Sequence, residues 1–182
     1  MQYSTVKTAG GYTADEVISA LQKEIRRGKS EDAAYWAYEL MISNLETKLW
    51  ERLTVISVED IGLADPQACM IIKTLRDTYF ELPAGRSDRY LRGLMAAVYL
   101  ARAPKDRHLD ELYHCLRTGC LERREIPDYA LDKHTARGRA LQRGETHFWN
   151  EGAALARESK GWDQRYLKLI RKKLGLDRQA PE

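Results

Sequence analysis

The sequence predicts an all-α protein, a compact multi-helix domain followed by a long basic loop and two further helices. Three observations carry that expectation. Apolar residues recur at three- and four-residue spacing through most of the chain. No stretch alternates apolar and polar residues for long enough to make a strand. The turn residues Gly28, Pro83-Ala84-Gly85, Pro104 and Gly119 fall between helical stretches.

The elements follow in order. Residues 1–12 form a polar arm ending at Gly10-Gly11. Thr13 and Glu16 have capping-box spacing, and Val17, Leu21 and Ile25 share one face before Gly28. A second helix starts at Ser30, with Ala33, Trp36, Ala37, Leu40 and Met41 inward. A third runs from about Thr47 to Ile61 and buries Leu49, Leu53 and Ile56, although Thr54 and Val55-Ile56 also tolerate strands. The fourth starts at Asp65-Pro66 and carries Cys69, Ile72, Leu75 and Tyr79. Asp there accepts from free backbone N–H groups, and Pro is pre-set for a first helical position. Ser87 caps a fifth, with Leu91, Leu94, Met95, Val98 and Ala101, which stops near Pro104. Asp106 begins a sixth, with Leu109, Leu112, Tyr113 and Leu116, ending near Gly119.

After that the chain changes character. Residues 122–144 hold few apolar side chains and several arginines, and read as a long loop or loops with a short helical turn. Helices are expected at about 145–158 and 163–174, and the tail from Leu176 reads as short, polar and frayed. The expected organisation is an arm over 1–12, a helical domain over 13–121, and a basic loop with C-terminal helices over 122–182 packed on the same domain.

Composition narrows the function classes. With 182 residues, 43% hydrophobic and 31% charged, the chain reads as soluble and globular. No run approaches 18 apolar residues, so no membrane span is expected. Met1-Gln2-Tyr3-Ser4-Thr5 lacks an apolar signal core, which points to the cytoplasm. Cys69, Cys115 and Cys120 read as free thiols in a reducing compartment. Residues 1–121 hold 16 Lys/Arg against 17 Asp/Glu, whereas residues 122–182 hold 14 against 10. A polyanion contact therefore belongs to the last third.

The most informative run is Val58-Glu59-Asp60-Ile61-Gly62-Leu63-Ala64-Asp65-Pro66. It joins a helix end to a helix start in few residues, with Gly62 as a left-handed stop. Glu59 and Asp60 stand in the last turn, where the helix dipole disfavours anions. A local rule broken beside a well-built turn predicts specific partners. These are the next helix's N-terminus, or an arginine of the core or of a neighbouring subunit.

Three segments together resemble the C-terminal region of the RarA/MgsA family of AAA+ ATPases, relatives of clamp loaders associated with stalled replication forks. They are Ser19-Ala20-Leu21-Gln22-Lys23-Glu24-Ile25-Arg26-Arg27-Gly28 with Asp32-Ala33-Ala34-Tyr35-Trp36, then Glu59-Asp60-Ile61-Gly62-Leu63-Ala64-Asp65-Pro66-Gln67-Ala68, then Ala97-Val98-Tyr99-Leu100-Ala101-Arg102-Ala103-Pro104-Lys105. The resemblance implies an all-helical domain similar to the clamp-loader collar. It also implies homo-oligomers, usually tetramers, and a role in replication or repair. Nothing matches G-x-x-x-x-G-K-[ST], so no phosphate-cradling loop of an ATPase module is present. Val58 stands where the family usually has Ser, and Asp106-Arg107 where it usually has Ser-Asn. Past about residue 121 the family's continuation is not recognisable, so the last third inherits little from it. A stand-alone relative of the collar fits these features.

Candidate sites follow. Glu59, Asp60, Gly62, Asp65 and Pro66 are read as a structural turn or interface. Lys133, His134, Arg137, Arg139 and Arg143 are nucleic-acid candidates, with Gly138 and Gly144 allowing close backbone approach. His134, His147, Phe148 and Trp149 offer stacking surfaces, or pack in a core. Arg165, Lys168, Arg171 and Lys172 make the last helix basic and amphipathic, suited to an anionic surface or simply to solvent. His108, His114, Cys69, Cys115 and Cys120 match no closed zinc pattern, so no metal and no cofactor is expected. Trp36, Trp50, Trp149 and Trp162 read as core or interface anchors. The expected function is a non-enzymatic oligomerisation and interaction module whose partner is DNA or a replication or repair protein. The alternative is a small nucleic-acid-binding protein using residues 133–143 and the last helix. A third reading uses Asp132, His134 and Glu145 for acid/base work on a phosphorylated substrate.

Overall fold

The computed structural model describes residues 3–176, so most of the expected polar tail lies outside the described residues. The chain forms two compact units, Met1–Leu121 and Glu122–Glu182. Among the described residues the fold is all-α, with a single antiparallel bridge between Lys7 and Thr13 and no longer strand.

The first unit holds α1 (Ala14–Arg26), α2 (Ser30–Ile42), α3 (Glu46–Ile56), α4 (Ala68–Glu81), α5 (Ser87–Arg102) and α6 (His108–Thr118). Helix α2 packs against α1 and α5, and α4 against α5. Their apolar stripes meet in a core of Val17, Leu21, Ile25, Leu40, Leu49, Trp50, Leu53, Ile56, Ile72, Tyr79 and Leu100. Close approach needs a small residue, and Gly93 supplies it: a Cβ there would lie 2.5 Å from the Met41 sulfur.

Several helix ends differ from the sequence expectation. Thr13 caps nothing with its side chain, because its backbone is held in the bridge to Lys7, where Ala14 N–H reaches Val6 O at 2.9 Å. Ser87 is the first residue of α5 rather than its cap, and the Arg86 guanidinium grips Asp88 at 2.9 Å instead. Helix α4 begins at Ala68, so Pro66 sits in the preceding turn. Asp65 still serves that entry, its Oδ1 accepting from Gln67 N–H at 3.1 Å. At the far end of α5, Lys105 Nζ donates to the carbonyls of Leu100 and Ala101 at 2.9 and 3.0 Å. Burial there lowers its pKa.

The third helix does not run to Ile61 as one α-helix. Its α-helical part ends at Ile56, and Ser57–Ile61 widen into a π-turn. Two hydroxyls explain the change. Thr54 donates to Trp50 O at 2.8 Å and Ser57 to Thr54 O at 2.7 Å, competing with the amides that ordinarily use these carbonyls. Gly62 then has φ +55, and a Cβ would meet Asp106 O at 2.5 Å, so glycine is required twice over.

The second unit contains a turn of 3₁₀ helix (Asp128–Ala130), α7 (Ala136–Ala140), α8 (Glu145–His147) and α9 (Arg165–Leu174). Helix α8 is far shorter than the expected 145–158, passing into a π-turn over Phe148–Gly152 and then irregular chain. The segment 153–164 lacks the apolar spacing that would hold it helical.

Candidate functional sites: an acidic junction and a basic segment

At the end of α3 the π-turn aims two adjacent carboxylates back at α1. Asp60 is completely buried. Its Oδ1 accepts from Arg26 Nε at 2.6 Å and its Oδ2 from Gln22 Nε2 at 3.0 Å. Glu59 Oε1 takes Arg26 Nη2 at 3.0 Å and Gln22 Nε2 at 3.1 Å. Arg107 approaches both, at 3.6 Å from Asp60 and 3.8 Å from Glu59. Arg52 closes the network from α3, donating to Gln22 Oε1 at 3.1 Å. The Asp60 carbonyl accepts from Asp106 N–H at 3.0 Å, which fixes the segment leading into α6. A buried carboxylate is stable only in such company.

Asp65 lies on the same run but works elsewhere: its Oδ2 accepts from the Tyr99 hydroxyl of α5. That bond, with burial as the larger cause, pushes the Tyr99 pKa up to about 12. The sequence reading named the carboxylates and missed Gln22, Arg26 and Arg107. The available signal was a Gln on the core stripe of α1 with an Arg one turn later, since polar side chains so placed need a buried partner.

In the second unit the basic segment is bound largely to itself. The Arg143 guanidinium donates to Asp128 O at 2.7 Å, Leu131 O at 3.2 Å and Asp128 Oδ1 at 2.6 Å. Arg139 donates to the carbonyls of Lys133 and His134 at 3.2 and 3.1 Å. Lys133 pairs with Glu145 and lies 4.7 Å from the centre of the Phe148 ring. Thr135 caps α7, its Oγ1 accepting from Gly138 N–H at 2.9 Å. Arg137 remains exposed beside Arg123 and Arg124, around one open concavity.

Asp132 and His134 do come together, Nδ1 to Oδ2 at 2.9 Å, but Glu145 is spent on Lys133. Asp132 also accepts His134 N–H at 2.9 Å, so the pair holds a turn. His134 and Trp149 each stand edge-on to Phe148, with ring centres 5.1 Å apart in both pairs. On α9, Arg165 is paired with Asp163 at 2.6 Å, and Arg171 reaches Asn150 Oδ1 at 3.5 Å. Lys168 and Lys172 are exposed. Among the described residues no group of three or more His, Cys, Asp or Glu is placed to hold a metal, and no helix is long and apolar enough to cross a membrane.

These pairs shift the carboxylates. Hydrogen bonds from Arg143, His134 and Lys133 hold the pKa values of Asp128, Asp132 and Glu145 below the ordinary range. A carboxylate depressed in the folded state stabilises above its unfolded pKa, and that gain is lost as pH falls through the folded value. The second unit should therefore loosen as pH falls below the ordinary carboxylate value of about 4. Amide exchange of residues 128–148 measures this, and unchanged protection across that window would contradict it.

The sequence comparisons extend over both units. Residues 28–168 match the family described as MgsA AAA+ ATPase C terminal. The match runs well past residue 121, where the sequence reading found no continuation, so the second unit shares the relationship. The chain is 32% identical over 121 residues to the Replication-associated recombination protein A of Escherichia coli K12, covering 65% of this chain and 26% of that protein. For the protein of that name from Haemophilus influenzae the figures are 28% over 120 residues, with the same coverage. For the ATPase WRNIP1 of Dictyostelium discoideum they are 32% over 135 residues, 73% of this chain and 15% of that one. The chain thus spans about a quarter or less of the length of these relatives. By the extent of the family match, the chain belongs to the MgsA AAA+ ATPase C-terminal family.

Proposed function

We propose that this chain is a non-catalytic helical oligomerisation and interaction module serving replication-associated recombination. One observation carries the reading. Helix α6 leaves Leu109, Leu112, Tyr113 and Leu116 between 37% and 61% exposed. Val55 and Val58, at 42% and 52%, lie beside them and complete an apolar groove with Thr54, Leu109 and Tyr113. A contiguous apolar face of this kind marks a surface that another protein covers. The relatives' names supply the context of replication and recombination. The family matched is the C-terminal part of an ATPase, which favours a role apart from hydrolysis.

The expected assembly is a homotetramer. Light scattering on a sizing column should give about four times the 21.0 kDa chain mass. Leu112→Glu with Leu116→Glu should return it to the mass of one chain. A parent protein that stays monomeric at tens of micromolar would remove the reading.

A second reading, nucleic-acid binding by the second unit, is favoured by the gathering of Arg123, Arg124 and Arg137 and by Lys168 and Lys172 on α9. It rests on these cations, because Lys133, Arg139, Arg143 and Arg165 are occupied within the unit. Binding to single-stranded DNA should weaken steeply with salt, and Arg123→Glu with Arg137→Glu should abolish it. Absence of binding at low salt would end this alternative.

A further inference from the structure

The end of α6 sets two of the three cysteines side by side. Gly119 takes a left-handed conformation there, with φ +74. Cys120 N–H donates to Cys115 O at 2.9 Å, and Gly119 N–H to Leu116 O at 3.4 Å. In a helix stop with these two bonds, the residue after the glycine packs its side chain on the one five positions earlier. An apolar pair ordinarily fills those positions; in this chain they are Cys120 and Cys115. A disulfide bridges Cα atoms about 4.4–6.8 Å apart, a span that a main-chain bond joining the two residues directly satisfies. Reagents can reach the pair, since Cys120 is exposed and Cys115 only partly buried.

The two thiols are not equivalent. The Thr118 hydroxyl stands 3.0 Å from the Cys120 sulfur and 2.7 Å from His114 O, so it can turn from that carbonyl to a thiolate. Hydrogen bonding from Thr118, foremost, and from Cys115 holds the Cys120 pKa below the ordinary thiol value. The same bond to Cys120 raises the pKa of Cys115. Cys120 is therefore both the more exposed sulfur and the readier thiolate, with Cys115 beside it to complete an exchange. Cys69 on α4 differs. Its thiol is engaged with the Ser57 hydroxyl, 3.6 Å away, rather than with another cysteine. Where thiols are kept reduced, disulfides are transient and redox-sensing.

We propose that Cys115 and Cys120 form a reversible disulfide by exchange with a small-molecule disulfide such as oxidised glutathione, with Cys120 as the attacking sulfur. The Cys120 thiolate attacks one sulfur of the reagent. A mixed disulfide forms, and one glutathione thiolate leaves and takes up a proton. Cys115 then gives up its proton and attacks the Cys120 sulfur. The internal S–S bond closes, and the second glutathione thiolate leaves and is protonated in turn. Two protein thiols are oxidised and the reagent is reduced to two thiols. In the test, the full chain is incubated with oxidised glutathione, quenched with iodoacetamide and digested with trypsin, which cuts between the two cysteines after Arg117. The peptides 108–117 and 118–123 should be found joined, with Cys69 oxidised roughly tenfold more slowly or less. Cys115→Ser should stop at glutathione held on Cys120. Cys120→Ser should capture glutathione on Cys115 several-fold more slowly. Amide exchange of the bridged protein should keep α6 protected and slow the exchange of residues 115–121. The proposal is overturned if no joined peptides form, if Cys69 is oxidised as fast, or if the two single variants capture glutathione at equal rates. Loss of α6 protection on oxidation overturns it too, since the bridge would then require an unfolded helix end.

Discussion

Replacing Asp60 by alanine should lower the melting temperature of the first unit by roughly ten degrees. Asp60 is fully buried and holds Arg26 and Gln22 by hydrogen bonds of 2.6 and 3.0 Å. Its removal leaves a partly buried guanidinium short of its partner and a buried amide unsatisfied. Breaking such a pair typically costs about 3–5 kcal/mol. A protein of this size loses about 2–4 °C per kcal/mol. Asp60→Asn keeps an acceptor and the shape but gives up the charge, so it should fall between the parent and Asp60→Ala. Thermal circular dichroism measures all three; an alanine variant melting within a degree of the parent would show that the network contributes nothing.

Gly138→Ala should damage the second unit comparably, for a steric reason. A Cβ at 138 would stand 1.9 Å from the Asp132 carbonyl oxygen, with the carbonyl carbon at 2.5 Å and the Asp132 nitrogen at 2.7 Å. All three contacts are backbone, so no rotamer change relieves them. Helix α7 would have to lift away from Asp132, breaking the Thr135 cap at 2.9 Å and the Arg143 N–H bond to Gly138 O at 3.0 Å. The expected cost is roughly 3 kcal/mol or more, in the range of severe overpacking and cap loss combined. Amide exchange should show residues 128–148 unprotected while α1–α5 keep their protection. Equal protection in parent and variant would mean that α7 tolerates the extra carbon.

The helices of the first unit were legible because their cores obey simple spacing. Val17, Leu21 and Ile25 on α1, and Leu49, Leu53 and Ile56 on α3, are all buried as the pattern implies. Periodicity says which residues share a face, but not whether that face is covered. Leu91 and Met95 on α5 are 62% and 60% exposed, as are most apolar residues of α6, despite equally regular spacing. At Thr13 the start of α1 was placed correctly but its cap was not, because backbone pairing took over from side-chain capping. Glu59 and Asp60 stood out because they break a dipole rule. Their partners did not, because Arg26 and Arg107 are ordinary surface-type residues until the π-turn brings the carboxylates to them. The basic segment was legible only in part, for the opposite reason. Its charge is visible in the sequence, but the carbonyls that absorb Arg139 and Arg143 belong to a loop path that no periodicity encodes.

The contacts around Asp60 also bear on time. Arg26 and Asp60 are 34 residues apart along the chain, and Asp106 is farther still. Three distant segments must be close before this junction can form, so loop-closure entropy predicts that it closes after the α1–α2 and α4–α5 pairs. Interactions absent from the folding transition state act on the unfolding limb. The two adjacent carboxylates would then set how long the native state survives, leaving the speed with which it is reached to the apolar stripes.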